Sequence, residues 1–420
     1  MTAKAGQEPK PSRALIRAED MPLARRIGAF AFLLFGYFFY AWSWNTVDIL
    51  RPYIKDSLGL SLEQAGSLYS VQALGALIGA VVNGQLADRL GRRNALFVVM
   101  VCYGLALAAG AIVTSLEQVL AQRFILGYFA GSMFPITVGI YSGLFDVRVR
   151  ARVAGIVLFT YNMAVSAQGV ASRVIFENGA DWKLLLLAGL VPAAFAILAF
   201  VFIPDDRHMT PYGLSGETAP GTPSKLPVLE LFRPGVRRQT LLLVAMTGLN
   251  FFAYQAFSGW ATTYLRDERG FSGADIGSAV GWQFLGAALG GFFWGWVGDR
   301  FGRRFAALGF VLAAILVLVY LFAPLTVTTL EIVAFCYGLV LSSSVVWGPW
   351  LAELYPSHLR STAASIFNWG RIISFIAPIV TAWLAHSVGL QGVMAIATPC
   401  FLVAALIWFS LPETLRKSPR

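Results

Sequence analysis

The sequence has 420 residues, of which 57% are hydrophobic, 14% aromatic and only 13% charged. A soluble globular chain carries about 25% charged residues, so this composition excludes an ordinary water-soluble fold and points to lipid as the solvent. The net charge of +10 does not describe a nucleic-acid patch, because the basic residues are spread between apolar stretches.

In chain order, residues 1–26 form a polar tail with Lys4, Lys10, Arg13, Arg17, Arg25 and Arg26. The apolar stretch that starts at Ile27 runs about 20 residues, too long for a signal-peptide core, and is expected to be a first membrane helix. Twelve such stretches follow one another, near 27–49, 64–86, 94–114, 118–142, 153–173, 183–203, 239–262, 275–297, 305–323, 328–351, 361–385 and 390–411. Backbone polar groups in lipid must be satisfied within the segment, so each is read as a helix. Residues 204–238, rich in Pro, Gly and charge, read as a linker between a bundle at 27–203 and a bundle at 239–411, with 412–420 as a tail. The fold class expected is an all-α membrane protein of twelve transmembrane helices in two six-helix bundles.

Of the 32 lysines and arginines, 24 lie on the side of the N-terminus. Six lie opposite (Arg51, Lys55, Arg173, Lys183, Arg266 and Arg269), and two, Arg123 and Arg371, lie within spans. By the positive-inside rule both termini are cytoplasmic in a cell membrane. The three cysteines, Cys102, Cys336 and Cys400, fall in apolar stretches without metal spacing. His208, His358 and His386 are scattered, and neither a phosphate-binding glycine loop nor a nucleophile elbow occurs. No enzyme, cofactor or metal is expected. The partners expected are a small-molecule substrate, the bilayer and a proton as coupling ion, with the chain acting as a monomer.

The sequence repeats itself. Gly84 to Arg93 and Gly295 to Arg304 both read G-x-x-x-D-R-x-G-R-R, with Asp88 and Asp299 separated by 211 residues. A second pair, Asp146 to Arg152 after span four and Glu353 to Arg360 after span ten, stands at nearly the same offset. Two equivalent halves are the mark of transporters built from internal repeats. Gly84 and Gly295 are expected to let helices approach closely.

With this doubled loop motif the chain resembles the major facilitator superfamily over essentially its whole length. Glu353-Leu354-Tyr355-Pro356, Arg360 and the closing Pro412-Glu413-Thr414-Leu415 are similar to the branch of sugar porters and of symporters for aromatic and sialate-like organic acids. The resemblance implies alternating access between the two bundles. It also implies a cytoplasmic gate latched by the loop-motif residues Asp88, Arg89, Arg92, Asp299, Arg300 and Arg303 with Asp146, Arg150, Glu353 and Arg360.

Charges inside spans are costly and therefore candidate functional groups. Asp48 on span one and Arg123 on span four sit at similar depth, and the family fold lines the cavity with both helices. An Asp48–Arg123 pair is expected as a proton switch. Arg123-Phe124-Ile125-Leu126-Gly127 matches the Arg-x-x-x-Gly of proton-coupled relatives. Arg371 lies near the midplane of span eleven with no acid at its depth, which calls for water or an anion such as a substrate carboxylate. Asn368-Trp369-Gly370-Arg371 is similar to the helix-eleven Gly-Arg of organic-acid symporters. Tyr37, Tyr40, Tyr161, Asn162, Gln168, Asn250, Tyr254, Gln255, Ser343 and Trp347 complete an expected pocket of aromatic walls and few polar groups, together with Asn368 and Trp369. The function expected is import of a small carboxylate-bearing metabolite, an aromatic acid or a sugar acid, with protons. The alternative is a porter for a neutral monosaccharide, against which Gly348-Pro349 stands one helical turn closer to Glu353 than in sugar porters.

Overall fold

The computed structural model describes residues 16–205, 209–210, 230–355 and 366–415. Eleven helices are long and apolar enough to cross a membrane, and a shorter one, Ala397–Ser410, follows the last of them. We label the first ten α1 (Leu23–Leu58), α2 (Leu62–Ala87), α3 (Arg92–Ile112), α4 (Leu116–Leu144), α5 (Arg148–Glu177), α6 (Leu184–Phe202), α7 (Arg237–Asp267), α8 (Gly273–Phe301), α9 (Arg303–Phe322) and α10 (Val327–Val346). The next helical stretch, Ile366–Ala395, is broken at Gly389, whose φ of 73° and ψ of 164° are not helical. It therefore divides into α11 (366–388) and α12 (390–410), and α12 at about 1.5 Å per residue is about 30 Å long, enough for a bilayer core. Twelve crossings return the chain to the face where α1 begins, here called the terminal face; the opposite face is called distal.

Apolar side chains such as Val81, Ile112, Phe134, Phe292, Ile332 and Leu406 stand exposed around the bundle, where lipid would cover them. The interior holds two buried apolar clusters, one built from residues 18–203 and one from residues 231–411. The halves meet along two main seams, α5 against α8 and α2 against α11, with a third contact between α1 and the end of α7. Two-residue strands Ile16–Arg17 and Met209–Thr210 pair in parallel beside the bundle.

The repeat read in the loops also governs packing. A Cβ on Gly79 would lie 1.7 Å from Tyr128 O, and one on Gly127 would lie 1.9 Å from Gln72 O, so α2 and α4 touch backbone to backbone. Residues 211 positions later do the same for α8 and α10: a Cβ on Gly290 would meet Leu339 O at 2.3 Å, and one on Gly338 would meet Gln283 O at 1.8 Å. Helices in lipid gain their attraction from such close van der Waals contact. Gly84 and Gly295, expected to serve this purpose, have open space beside them, because they lie on helix faces that meet no neighbour.

Helix starts repeat as well. Ser61 with Gln64 and Ser272 with Asp275 form capping boxes on α2 and α8, and Ser115 and Thr326 cap α4 and α10. In the doubled loop motif Gly91 and Gly302 carry φ of 87° and 115°, which favour glycine.

At the terminal face the last two arginines of each motif are tied within their own half. Arg303 pairs with Asp299 at 2.6 Å and Glu353 at 3.0 Å, whereas Arg92 donates to Gly139 O at 2.8 Å. Arg93 pairs with Asp205 at 2.9 Å, and Arg304 bonds Phe409 O. Asp146 accepts from Arg148 N as the cap of α5, and Arg150 donates to Phe145 O. Arg89 and Arg300 are exposed. The Asp88 side chain and Arg360 lie outside the described residues.

Glu413 accepts the backbone N–H groups of Arg303, Arg304, Thr414 and Leu415. Partial burial pushes its carboxyl up, but these four donors outweigh that and hold it below the usual range.

Two outcomes follow. Gly127→Ala is expected to destabilise the protein by about 1–3 kcal/mol or to abolish folded yield, while Gly84→Ala leaves the melting temperature unchanged in a thermal-shift assay. The stabilisation from Glu413 is present above the ordinary glutamate pKa of about 4.3 and is lost as pH falls through the lower folded-state value. Glu413→Gln should therefore lower the melting temperature at pH 7, with the gap to the unaltered protein narrowing as the pH is brought towards 3.

Candidate functional site

The sequence places Pro52 inside α1 and the pair Ser258-Gly259 inside α7. Proline has no N–H, so the carbonyl four residues before it, that of Asp48, loses its helical donor. Thr262 Oγ1 of α7 supplies one, at 2.5 Å. Reciprocally, α7 breaks between Phe257 and Ala261, and the Gly259 carbonyl accepts from Arg51 Nη1 of α1. Each interrupted helix thus satisfies an exposed backbone group of the other across the seam between the halves.

Arg51 is fully buried. Its Nη2 pairs with Asp48 Oδ1 at 2.7 Å, and its guanidinium lies 4.6 Å from the centroid of the Trp260 ring. Trp260 Nε1 in turn donates to Thr381 Oγ1 of α11 at 2.8 Å. A buried guanidinium needs a counter-charge and hydrogen-bond acceptors, and Asp48, Gly259 and the indole face provide them. Around this centre Lys55 bonds Asp267, Asp56 pairs with Arg266 at 2.7 Å, and Glu63 meets His386. Arg266 also lies over the Tyr53 ring, 4.4 Å from its centroid. All these contacts join the two halves near the distal face. Among the described residues, hydrogen bonds and ion pairs between the helices of the two halves are confined to this end and to the seam of α5 with α8, where Ser166 Oγ donates to Gly281 O at 2.8 Å. The distal side is closed.

The reading of the sequence ended span one at residue 49 and placed Arg51 and Lys55 in a loop. The helix instead runs to Leu58, because a proline after the first turn is tolerated where a neighbouring side chain takes over the freed carbonyl. The expected Asp48–Arg123 ion pair does not form: Asp48 holds Arg51, three residues along its own helix, and Arg123 Nη1 faces Gln72 Oε1 at 3.5 Å. The two charges still attract each other at longer range.

Towards the middle, Tyr37, Tyr40 and Tyr161 stand together, with ring centroids 5.1, 6.2 and 6.0 Å apart. Asn45 Nδ2 donates to the Tyr161 hydroxyl at 2.8 Å. A cavity of about 30 Å³, room for a water molecule, is lined by Asn45, Asp48, Tyr254, Ser258 and Thr262 among others. Tyr254 of α7 and the tyrosines of α1 and α5 thus lie close to the same seam. Gln168 is buried and donates to Thr46 Oγ1 at 2.7 Å, while the Oε1 of Gln168, the Oδ1 of Asn250 and the Oε1 of Gln255 are buried acceptors without a donor.

Three other expected pocket residues have contacts within their own half. Asn162 donates to Leu158 O of its own helix at 3.1 Å. Ser343 is fully buried against Gly309, where α9 and α10 meet. Trp347 packs on Phe310 and Trp408, with centroids 5.5 and 5.3 Å away, inside the core of the second half. The helical spacing that brings a side chain to the right depth does not fix which face it occupies. The side chains of Asn368, Trp369 and Arg371 lie outside the described residues; Gly370 between them packs on Thr247 and Phe251 of α7.

Two six-helix halves are paired along two seams and joined at one end around a buried arginine. The model described as Major Facilitator Superfamily matches the chain over residues 33–278 and again over 243–420, and the chain belongs to that family. It is a multi-pass membrane transporter. The cis,cis-muconate transport protein of Acinetobacter baylyi is 24% identical over 350 residues, which cover 81% of this chain and 84% of that protein. The 4-hydroxybenzoate transporter PcaK of the same species is 25% identical over 369 residues, 80% of this chain and 79% of that one. The solved structure of a bacterial homolog of the human lysosomal transporter Spinster, inward-facing and unoccupied, superposes with a TM-score of 0.76 at 14% identity, covering 93% of this chain and 97% of that one.

Removing Arg51 leaves Asp48 without its partner and the Gly259 carbonyl without its donor. Breaking a buried pair costs about 3–5 kcal/mol, so Arg51→Gln should shift the population towards a distally open form. Distance measurements between spin labels placed on the distal ends of α1 and α7 should lengthen; an unchanged distribution would remove Arg51 from the gate.

Proposed function

We propose that this chain imports a small carboxylate-bearing metabolite, an aromatic acid or a sugar acid, together with protons by alternating access. The observation that carries this reading is that relatives matched over four-fifths of the chain are named for cis,cis-muconate and 4-hydroxybenzoate, both carboxylates. These relatives lend no support to the neutral-monosaccharide alternative. The Tyr37, Tyr40 and Tyr161 rings near the seam supply an apolar, stackable wall for such an acid. Arg371 of α11, with Asn368 and Trp369, is the proposed carboxylate anchor.

The proposed orientation puts both termini in the cytoplasm of a cell with the protein in its inner membrane, following the excess of basic residues at the terminal face. In that orientation the distal contacts between the halves face the outside of the cell. Residues 27–203 and 239–411 are the proposed moving bodies, in keeping with their separate apolar clusters. The proposed coupling group is Asp48. Its charge holds Arg51, and Arg51 bonds α7 across the seam, so a proton on Asp48 alters the grip of one half on the other. The terminal-face pairs of Arg303 with Asp299 and Glu353, and the corresponding groups Arg92, Asp146 and Arg150, are the proposed parts of the opposite gate.

Uptake of radiolabelled 4-hydroxybenzoate and glucuronate into proteoliposomes tests the reading. Transport of one of them is expected to fall by about a hundredfold in Arg371→Ala, the scale of a lost bidentate charge-assisted contact. Normal transport by that variant would refute the anchor. Asp48→Asn is expected to abolish accumulation driven by a pH gradient while sparing counterflow; accumulation at the usual level would remove Asp48 from coupling.

A further inference from the structure

A second cavity, of about 170 Å³, lies in the first half between the distal ends of α1, α3, α4 and α6. Its mouth is marked by the exposed residues Ser57 and Thr114. Its inner wall holds Arg123, which is 1% exposed and whose Nε is buried without a hydrogen-bond partner. Among the described residues no carboxylate lies within ion-pair distance of Arg123 or of Lys183, which lines the same cavity. Two cations facing one hollow with no carboxylate in contact, Asp48 acting on Arg123 only at longer range, define an anion site, since a buried guanidinium without a contacting anion is costly.

The rest of the lining narrows the anion. Trp182 offers a ring face, with Lys183 Nζ 6.0 Å from its centroid. Gln122 donates its Nε2 to Ala106 O at 2.7 Å, which leaves its Oε1 as a buried acceptor without a donor. An acceptor in need of a donor suits a ligand hydroxyl. A cavity of about 150 Å³ lined by apolar groups takes a benzene ring, so this one has room for a single ring with its substituents.

We infer that this distal cavity is a binding site for a hydroxylated aromatic monocarboxylate, separate from the path between the halves. The carboxylate meets Arg123 and Lys183, the ring lies against Trp182, and the hydroxyl donates to Gln122 Oε1. The same atoms give Arg123 a role besides its longer-range attraction to Asp48. The inference rests on the reading of the chain as a carboxylate carrier for the choice of ligand, but the site itself is independent of Arg371.

The test uses full-length protein carrying Arg371→Ala, in phosphatidylcholine nanodiscs, with radiolabelled 4-hydroxybenzoate in a scintillation-proximity binding assay. Saturable binding is expected, weakened about tenfold by Lys183→Gln, a change at a partly exposed position that leaves folding intact. Benzoate should compete several-fold less well than 4-hydroxybenzoate, phenol should not compete, and Gln122→Leu should erase the preference for the hydroxyl. Binding that is unaffected by Lys183→Gln, or competed equally by phenol, overturns the inference. So does a site filled only when phosphatidylglycerol is present, which would make the occupant a lipid headgroup. If the unaltered protein moves no carboxylate into proteoliposomes, the proposed function fails while the binding result still decides the site. Transport of an acid together with an indifferent Lys183→Gln variant would strike the site alone.

Discussion

The distal contacts between the halves are centred on one guanidinium. Arg51 is buried where two interrupted helices cross, and it answers the charge of Asp48, the Gly259 carbonyl and the Trp260 ring at once. Neither interruption would be tolerated alone in a bilayer, because each leaves a carbonyl without a donor. Together they are complementary: the proline of α1 frees an acceptor for Thr262, and the Ser-Gly break of α7 frees one for Arg51. The polar core of the gate is thereby built from backbone groups that only the opposite half can satisfy.

Around that centre the duplicated design sets what can move. The contacts of α2 with α4 and of α8 with α10 are backbone against backbone, with glycines at matching positions 211 residues apart. Such surfaces leave no slack within a half. The seam of α5 with α8 is also narrow at Gly169, Gly277 and Gly281, but it carries few polar ties. The terminal-face arginines hold each half's own loops and helix ends, Arg93 to Asp205 in one and Arg303 and Arg304 to Glu413 in the other. Within each half the tight crossings are backbone to backbone, whereas between the halves the α5–α8 seam is extensive and the polar ties gather at the distal end.

The crossings and the repeat were legible because both follow from strong constraints. A bilayer imposes about 20 apolar residues per helix, and a loop motif of ten residues recurs only by duplication. The extent of α1 was not legible. An arginine followed by a proline at the edge of an apolar stretch looks like a topology anchor and a helix stop, and only the partner helix shows otherwise. The capping pairs of α2 and α8, Ser-x-x-Gln and Ser-x-x-Asp, and the glycines four apart at Gly75 and Gly79 and at Gly286 and Gly290 are signals that the sequence reading passed over in favour of Gly84 and Gly295. For the pocket, depth along a helix was legible and azimuth was not. Tyr37, Tyr40 and Tyr161 came together, whereas Ser343 and Trp347 turned into the core of their own half.

Pro52 has one further consequence. Were the halves to part on the distal side, the carbonyls of Asp48 and Gly259 would lose Thr262 and Arg51 together. Proline cannot restore the helical bond, so the orphaned oxygens must be hydrated for the open form to exist. Separation of α1 from α7 is therefore a wetting transition. Such a separation would take up water at both carbonyls, and osmotic stress on the distal compartment would oppose it.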